Sequence, residues 1–120
     1  MYPITEKGNS SDLNPFNAAP EDLELRTLAP YSTVYVRTRH SDYRIFLLDP
    51  KTGYALIEGG RFFTESAEAI VIGSTSIDQM LKAGWIGLGL HMVLHAHGQS
   101  IITSTVQSIR VEREAPAQAQ

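Results

Sequence analysis

The run Trp85–His97 alternates two classes of side chain with a period of two, over the longest such stretch in the chain. Period two is the mark of a strand with one buried face. Ile86, Leu88, Leu90, Met92, Leu94 and Ala96 fall on one side, and Trp85, Gly87, Gly89, His91, Val93, His95 and His97 on the other. The first set predicts an unbroken core spine. Twelve extended residues span about 40 Å, more than a small domain holds, so Gly87 and Gly89 are expected to bend the strand.

Shorter strands are expected on either side. Thr33–Arg39 is rich in β-branched and aromatic residues, with Val34 and Val36 on one face and Tyr35, Arg37 and Arg39 on the other. Tyr43–Asp49 and Tyr54–Glu58 follow, separated by Pro50-Lys51-Thr52-Gly53, which carries proline early and glycine late as a tight turn requires. The three runs predict an antiparallel meander. Arg61–Ser66 reads as a loop in which one of Phe62 and Phe63 fills the core and the other faces water. Ala67–Gly73 reads as a fourth strand.

Ser76-Ile77-Asp78-Gln79 then has the form of a capping box. Ile77, Met80 and Leu81 would share a helical face, and Gly84 would end it. After the long run, Gly98-Gln99-Ser100 turns the chain into strands over Ile101–Val106 and Gln107–Glu112. The expectation is an all-β domain over 21–112: a small barrel, SH3-like or related, of six to seven short antiparallel strands with one short helix. A two-sheet β-sandwich is the alternative. Residues 1–20 and 113–120, polar and broken by proline, read as flexible tails.

The 120 residues support one domain, and the absence of cysteine excludes disulfides and thiolate chemistry. The first residues lack the pattern of a signal peptide, and the most apolar run is too short to cross a bilayer as a helix. No membrane association and a cytoplasmic location are expected. The net charge of −3 disfavours charge-driven binding of nucleic acid. The charge is uneven, however: residues 31–64 hold five basic side chains against three acidic ones.

Each candidate chemistry has a plainer structural reading beside it. His95 and His97, two apart on a strand, would lie within chelating reach of one metal ion. With Gly89 they give Gly-x5-His-x-His, which resembles the first half of the first cupin motif. The resemblance stops there, because Ile101 and Ile102 stand where cupins need a glutamate. A third ligand would have to come from elsewhere, for example His40 or Glu112. The plainer reading is a strand end that carries histidines.

Gly84, Gly87 and Gly89 fit no phosphate-loop pattern, and Ser100 lies in no nucleophile elbow. The chain leans away from catalysis, and no cofactor is expected. Tyr35, Arg37, Arg39 and Arg44 could bind single-stranded nucleic acid by stacking and phosphate contact; the plainer reading is a solvated strand face. Aromatic and arginine side chains are common interface anchors. The preferred expectation is therefore a non-enzymatic binding module, meeting an unidentified protein or itself through Trp85, Arg37, Arg39 and Arg61.

Overall fold

The computed structural model describes residues 21–112 with the exception of Gln79, so the expected tails at 1–20 and 113–120 lie outside the described residues. The described residues form nine strands: β1 (Asp22–Glu24), β2 (Thr33–Thr38), β3 (Asp42–Asp49), β4 (Tyr54–Gly59), β5 (Phe63–Thr75), β6 (Leu81–Ala83), β7 (Trp85–Gly87), β8 (His91–Ala96) and β9 (Gln99–Glu112). All pairings are antiparallel.

β2, β3 and β4 form the expected meander, and Val34 and Val36 point inward as their alternation requires. The strand order β4-β3-β2-β9-β8-β5-β6, with a further pairing of β4 to β5, closes six strands into a barrel-like ring and leaves β6 as an appended edge. A sandwich would have left two unconnected sheets. β1 and β7 form a separate two-stranded ribbon that adds Leu23 and Ile86 to the same core.

Closure depends on two strands longer than the sequence predicted. β5 pairs with β4 through its first half and with β6 through its last residues, while β8 lies along its other side. β9 joins two stretches predicted as separate strands. It pairs with β8 from Gln99 to Thr105 and with β2 from Val106 to Glu112. Register shifts in both ladders insert extra residues, and such bulges let a long strand bend around a ring. Gly53 ends the turn after β3 with φ 83°, and a Cβ there would lie 2.2 Å from the Val71 carbonyl oxygen. Only glycine lets that turn rest against β5.

Two expectations are corrected. The helix predicted for Ser76–Gly84 is absent: a turn at Ile77–Asp78 leads into β6. Ile77, Met80 and Leu81 are exposed, so a helix there would have no core to bury its apolar face against, and tertiary context outweighs a capping signal. Among the described residues, the one helical segment is a 3-10 turn at Leu25–Thr27, whose Leu25 is buried. The core spine is also interrupted. Ile86, Met92, Leu94 and Ala96 are buried, but Leu88 is exposed in the turn between β7 and β8. Gly89, with φ 80°, lies in that turn. No helix among the described residues is long and apolar enough to cross a membrane.

Tyr43, on β3, makes the fold sensitive to alkali. Burial raises its phenol above the ordinary value of 10.0, and a hydrogen bond with Ser41 pulls weakly the other way. The folded pKa therefore exceeds the unfolded one. The resulting stability is full below about pH 10 and is lost as pH rises through the folded value. Tyr54, hydrogen-bonded to Glu68, is raised too and acts in the same direction. Melting temperature is expected to fall above about pH 10, and Tyr43→Phe to lessen that fall. Equal losses in parent and variant would show that Tyr43 does not carry the effect.

Candidate interaction surface

Paired residues on neighbouring strands share a face, so the ladders show what the outside of the ring presents. Across β4, β3, β2 and the second half of β9, one row reads Glu58–Arg44–Tyr35–Arg110. The next carries Asp42, Arg37 and Ser108. Each charged side chain of these two rows has a partner. Arg37 Nε lies 2.9 Å from Asp42 Oδ1, and Arg44 Nη2 lies 2.8 Å from Glu58 Oε1. The Arg110 guanidinium sits 4.1 Å from the centre of the Tyr35 ring, and the Tyr35 hydroxyl donates to Glu112 Oε1 at 2.9 Å. A shallow groove of about 510 Å³ runs between Tyr35, Arg37, Ser108 and Arg110.

Of the residues proposed for nucleic acid, Tyr35, Arg37 and Arg44 share this face, and Asp42 and Glu58 answer the charges of Arg37 and Arg44. Asp42 also holds Arg37 above its ordinary pKa, first by hydrogen bonding and then by its charge. A phosphate would have to displace these carboxylates to be bound. Arg39 lies just beyond β2, exposed, with its backbone N–H donating to the Thr105 carbonyl.

The four residues proposed for protein contact lie on different elements. Arg61 is exposed in the turn between β4 and β5. Trp85 lies on β7, which pairs with β1 and shares no ladder with β2. It is partly buried, with Lys82 Nζ 4.2 Å over its ring and 3.7 Å from Asp22 Oδ2.

The two histidines do not share a strand. His95 is exposed on β8, but His97 has left the strand. His97 (φ 53°) and Gly98 (φ 78°) form the two-residue turn between Ala96 and Gln99, and two positive φ values mark a type I′ hairpin. The shared strand face on which chelation depended does not exist. Among the described residues, no three His, Cys, Asp or Glu side chains are grouped to hold a metal ion. His91 Nδ1 lies 2.8 Å from the Thr103 carbonyl oxygen; a carbonyl only accepts, so Nδ1 carries the proton there.

A second outer face, missed from the sequence, spans β6, β5, β8 and the first half of β9. One row reads Ala83–Gly73–Val93–Ile102 and the next Leu81–Thr75–His91–Thr105. Ile70 pairs with His95, which pairs with Ser100. These rows contain no carboxylate, lysine or arginine. Ile102 is 62% exposed and Leu81 53%. The hairpin linking β5 and β6 extends this apolar character, with Ile77 90% and Met80 73% exposed. A signal was present: from Ala83 to Ile109 the chain has no Asp, Glu, Lys or Arg. Ala69-Ile70-Val71-Ile72 and Ile101-Ile102 are apolar on consecutive residues, hence on both faces of a strand.

The ring therefore divides its outside into a charged, internally neutralised face and an uncharged one. Comparison with protein-family models, curated proteins and solved structures finds no match in any of the three, and what the chain does is read from its own surface.

Proposed function

We propose that this chain is a non-enzymatic cytoplasmic binding module that docks on a protein partner through the uncharged outer face and the β5–β6 hairpin. The observation that carries the reading is the exposure of Ile77, Met80, Leu81 and Ile102 around that face. Burying one such side chain is worth about 1.5–3 kcal/mol. Contiguous apolar surface left in water is a common mark of a docking site.

A lipid surface fits less well. Interfacial binding draws on cations that face anionic headgroups, and this face offers none. Lys82 pairs with inward-facing Ser74 and lies over Trp85. The contact role first given to Trp85, Arg37, Arg39 and Arg61 passes to the apolar residues.

The test compares three immobilised baits in nuclease-treated lysate from the source cells: parent, an Ile77→Glu/Met80→Glu variant, and Arg37→Glu. Both altered side chains of the hairpin variant face solvent, so its circular dichroism should match the parent. Proteins retained by the parent and by Arg37→Glu should be lost from the hairpin variant. Retention by the hairpin variant, or loss confined to Arg37→Glu, would overturn the reading.

A further inference from the structure

A closed ring leaves few strand edges, and those that remain here are guarded unequally. Among the described residues, the start of β5 has β4 on one side only, and its exposed outer residues include Glu65 and Glu68. The edge strand β6 carries Lys82. Charges at such edges deter pairing with other strands. The first half of β9 differs. β8 lies along one side of it, while β2 begins to cover the other side only at Val106. The next contacts on that side are Arg39 N–H to the Thr105 carbonyl and His40 N–H to Ser104 Oγ. No described strand pairs with Gln99–Thr103 there.

The hairpin sets which backbone groups this edge presents. Ala96 and Gln99 flank the two-residue turn and so exchange hydrogen bonds, and the ladder alternates from there. Gln99 and Ile101 bond to β8. Ser100 and Ile102 direct their N–H and C=O groups away from it. The edge therefore presents two donors and two acceptors at strand spacing, with no charge anywhere in Gln99-Ser100-Ile101-Ile102-Thr103.

We propose that two copies of this chain pair antiparallel through Gln99–Thr103, about a two-fold axis at Ile101, continuing the sheet from one ring into the next. In that register Ser100 faces Ile102 of the second copy, and each bonds the other. The charge pattern favours a second copy over a foreign strand. A two-fold axis sets every residue of the edge against its own sequence, and like charges placed opposite each other destabilise a pair; this stretch has none to oppose. The exposed Ile102 side chains of the two copies, on the same face, become diagonal cross-strand neighbours within reach of each other. The contact uses the backbone edge, not the β5–β6 hairpin, and does not depend on the docking reading above.

Sedimentation and light scattering over a concentration series test this on the full chain. The parent is expected to shift from 13.2 kDa towards twice that mass. Ser100→Pro removes an edge N–H that no described strand bonds, and Ile102→Lys places a cation at the edge. Both variants should stay at the monomer mass with unchanged circular dichroism, while Ile77→Glu dimerises like the parent. Amide exchange at Ser100 and Ile102 should slow at least about tenfold on concentration, since pairing protects both groups. A parent that remains monomeric, or a dimer that survives both edge variants, overturns the proposal. So does protection of both amides in the dilute monomer, because another segment of the chain would then cover the edge.

Discussion

Replacing Phe63 with alanine is expected to lower the free energy of unfolding by about 3–5 kcal/mol. Phe63 is 1% exposed and pairs with Gly59 where β4 meets β5. This is the seam that closes the ring, so the lost ring leaves a void where two strands must stay in register. A chain of this size has about 5–15 kcal/mol of stability, and the loss is a large share of it. The melting temperature should fall by about 12 °C or more. Urea unfolding followed by circular dichroism measures the change. Phe62, the adjacent residue, is 57% exposed, and Phe62→Ala should stay within about 0.5 kcal/mol of the parent. Similar losses from the two variants would mean that the inward and outward assignments at this seam are wrong.

Gly73→Ala should act locally and detach β6. Gly73 has φ 154°, and a Cβ there would lie 2.3 Å from the Lys82 carbonyl oxygen and 2.9 Å from Ala83 Cα. Both obstacles are backbone, so no side-chain rotation relieves them. The strain of a side chain in this conformation alone is about 1–3 kcal/mol, and the shortest relief is for β6 to move off β5. Its pairs Gly73–Ala83, Ser74–Lys82 and Thr75–Leu81 would then be lost. Hydrogen exchange should show β6 amides deprotected while those of β2, β3 and β9 keep their protection. The emission of Trp85 should shift as Lys82 leaves its ring. A variant with β6 amides as slow as the parent's would show that the backbone accommodates the methyl group by another route. The outer face would also lose Leu81, so this variant should weaken docking in the lysate comparison even though no contact residue is changed.

Much of the ring is legible in the chain. Val34 and Val36 alternate with Tyr35 and Arg37, and the structure buries the first pair. The Pro50–Gly53 turn sits where proline and glycine place it. These features are local: a strand with one polar face states its own orientation, and a turn is set by the residues within it. The site was harder to see. The arginines of β2 and β3 are conspicuous, but Asp42 and Glu58 answer them, and Glu58 enters that face only through the pairing of β3 with β4. The histidines appeared paired because spacing does not reveal that the strand ends at Ala96. Ile77, Met80 and Leu81 matched a helical face, yet their surroundings give that face nothing to bury against.

The sequence by itself determined that this is a β protein, where most of its turns fall and which side of β2 is buried, because those properties follow from the stiffness and polarity of adjacent residues. Tertiary structure alone decided that β4 meets β5, that β9 serves two neighbours, and that Ile101 is buried while Ile102 is exposed. Two consecutive isoleucines suit either face of a strand equally well. Only pairing between distant parts of the chain chooses the inward one, and that choice leaves the other on an uncharged face beside an unguarded edge.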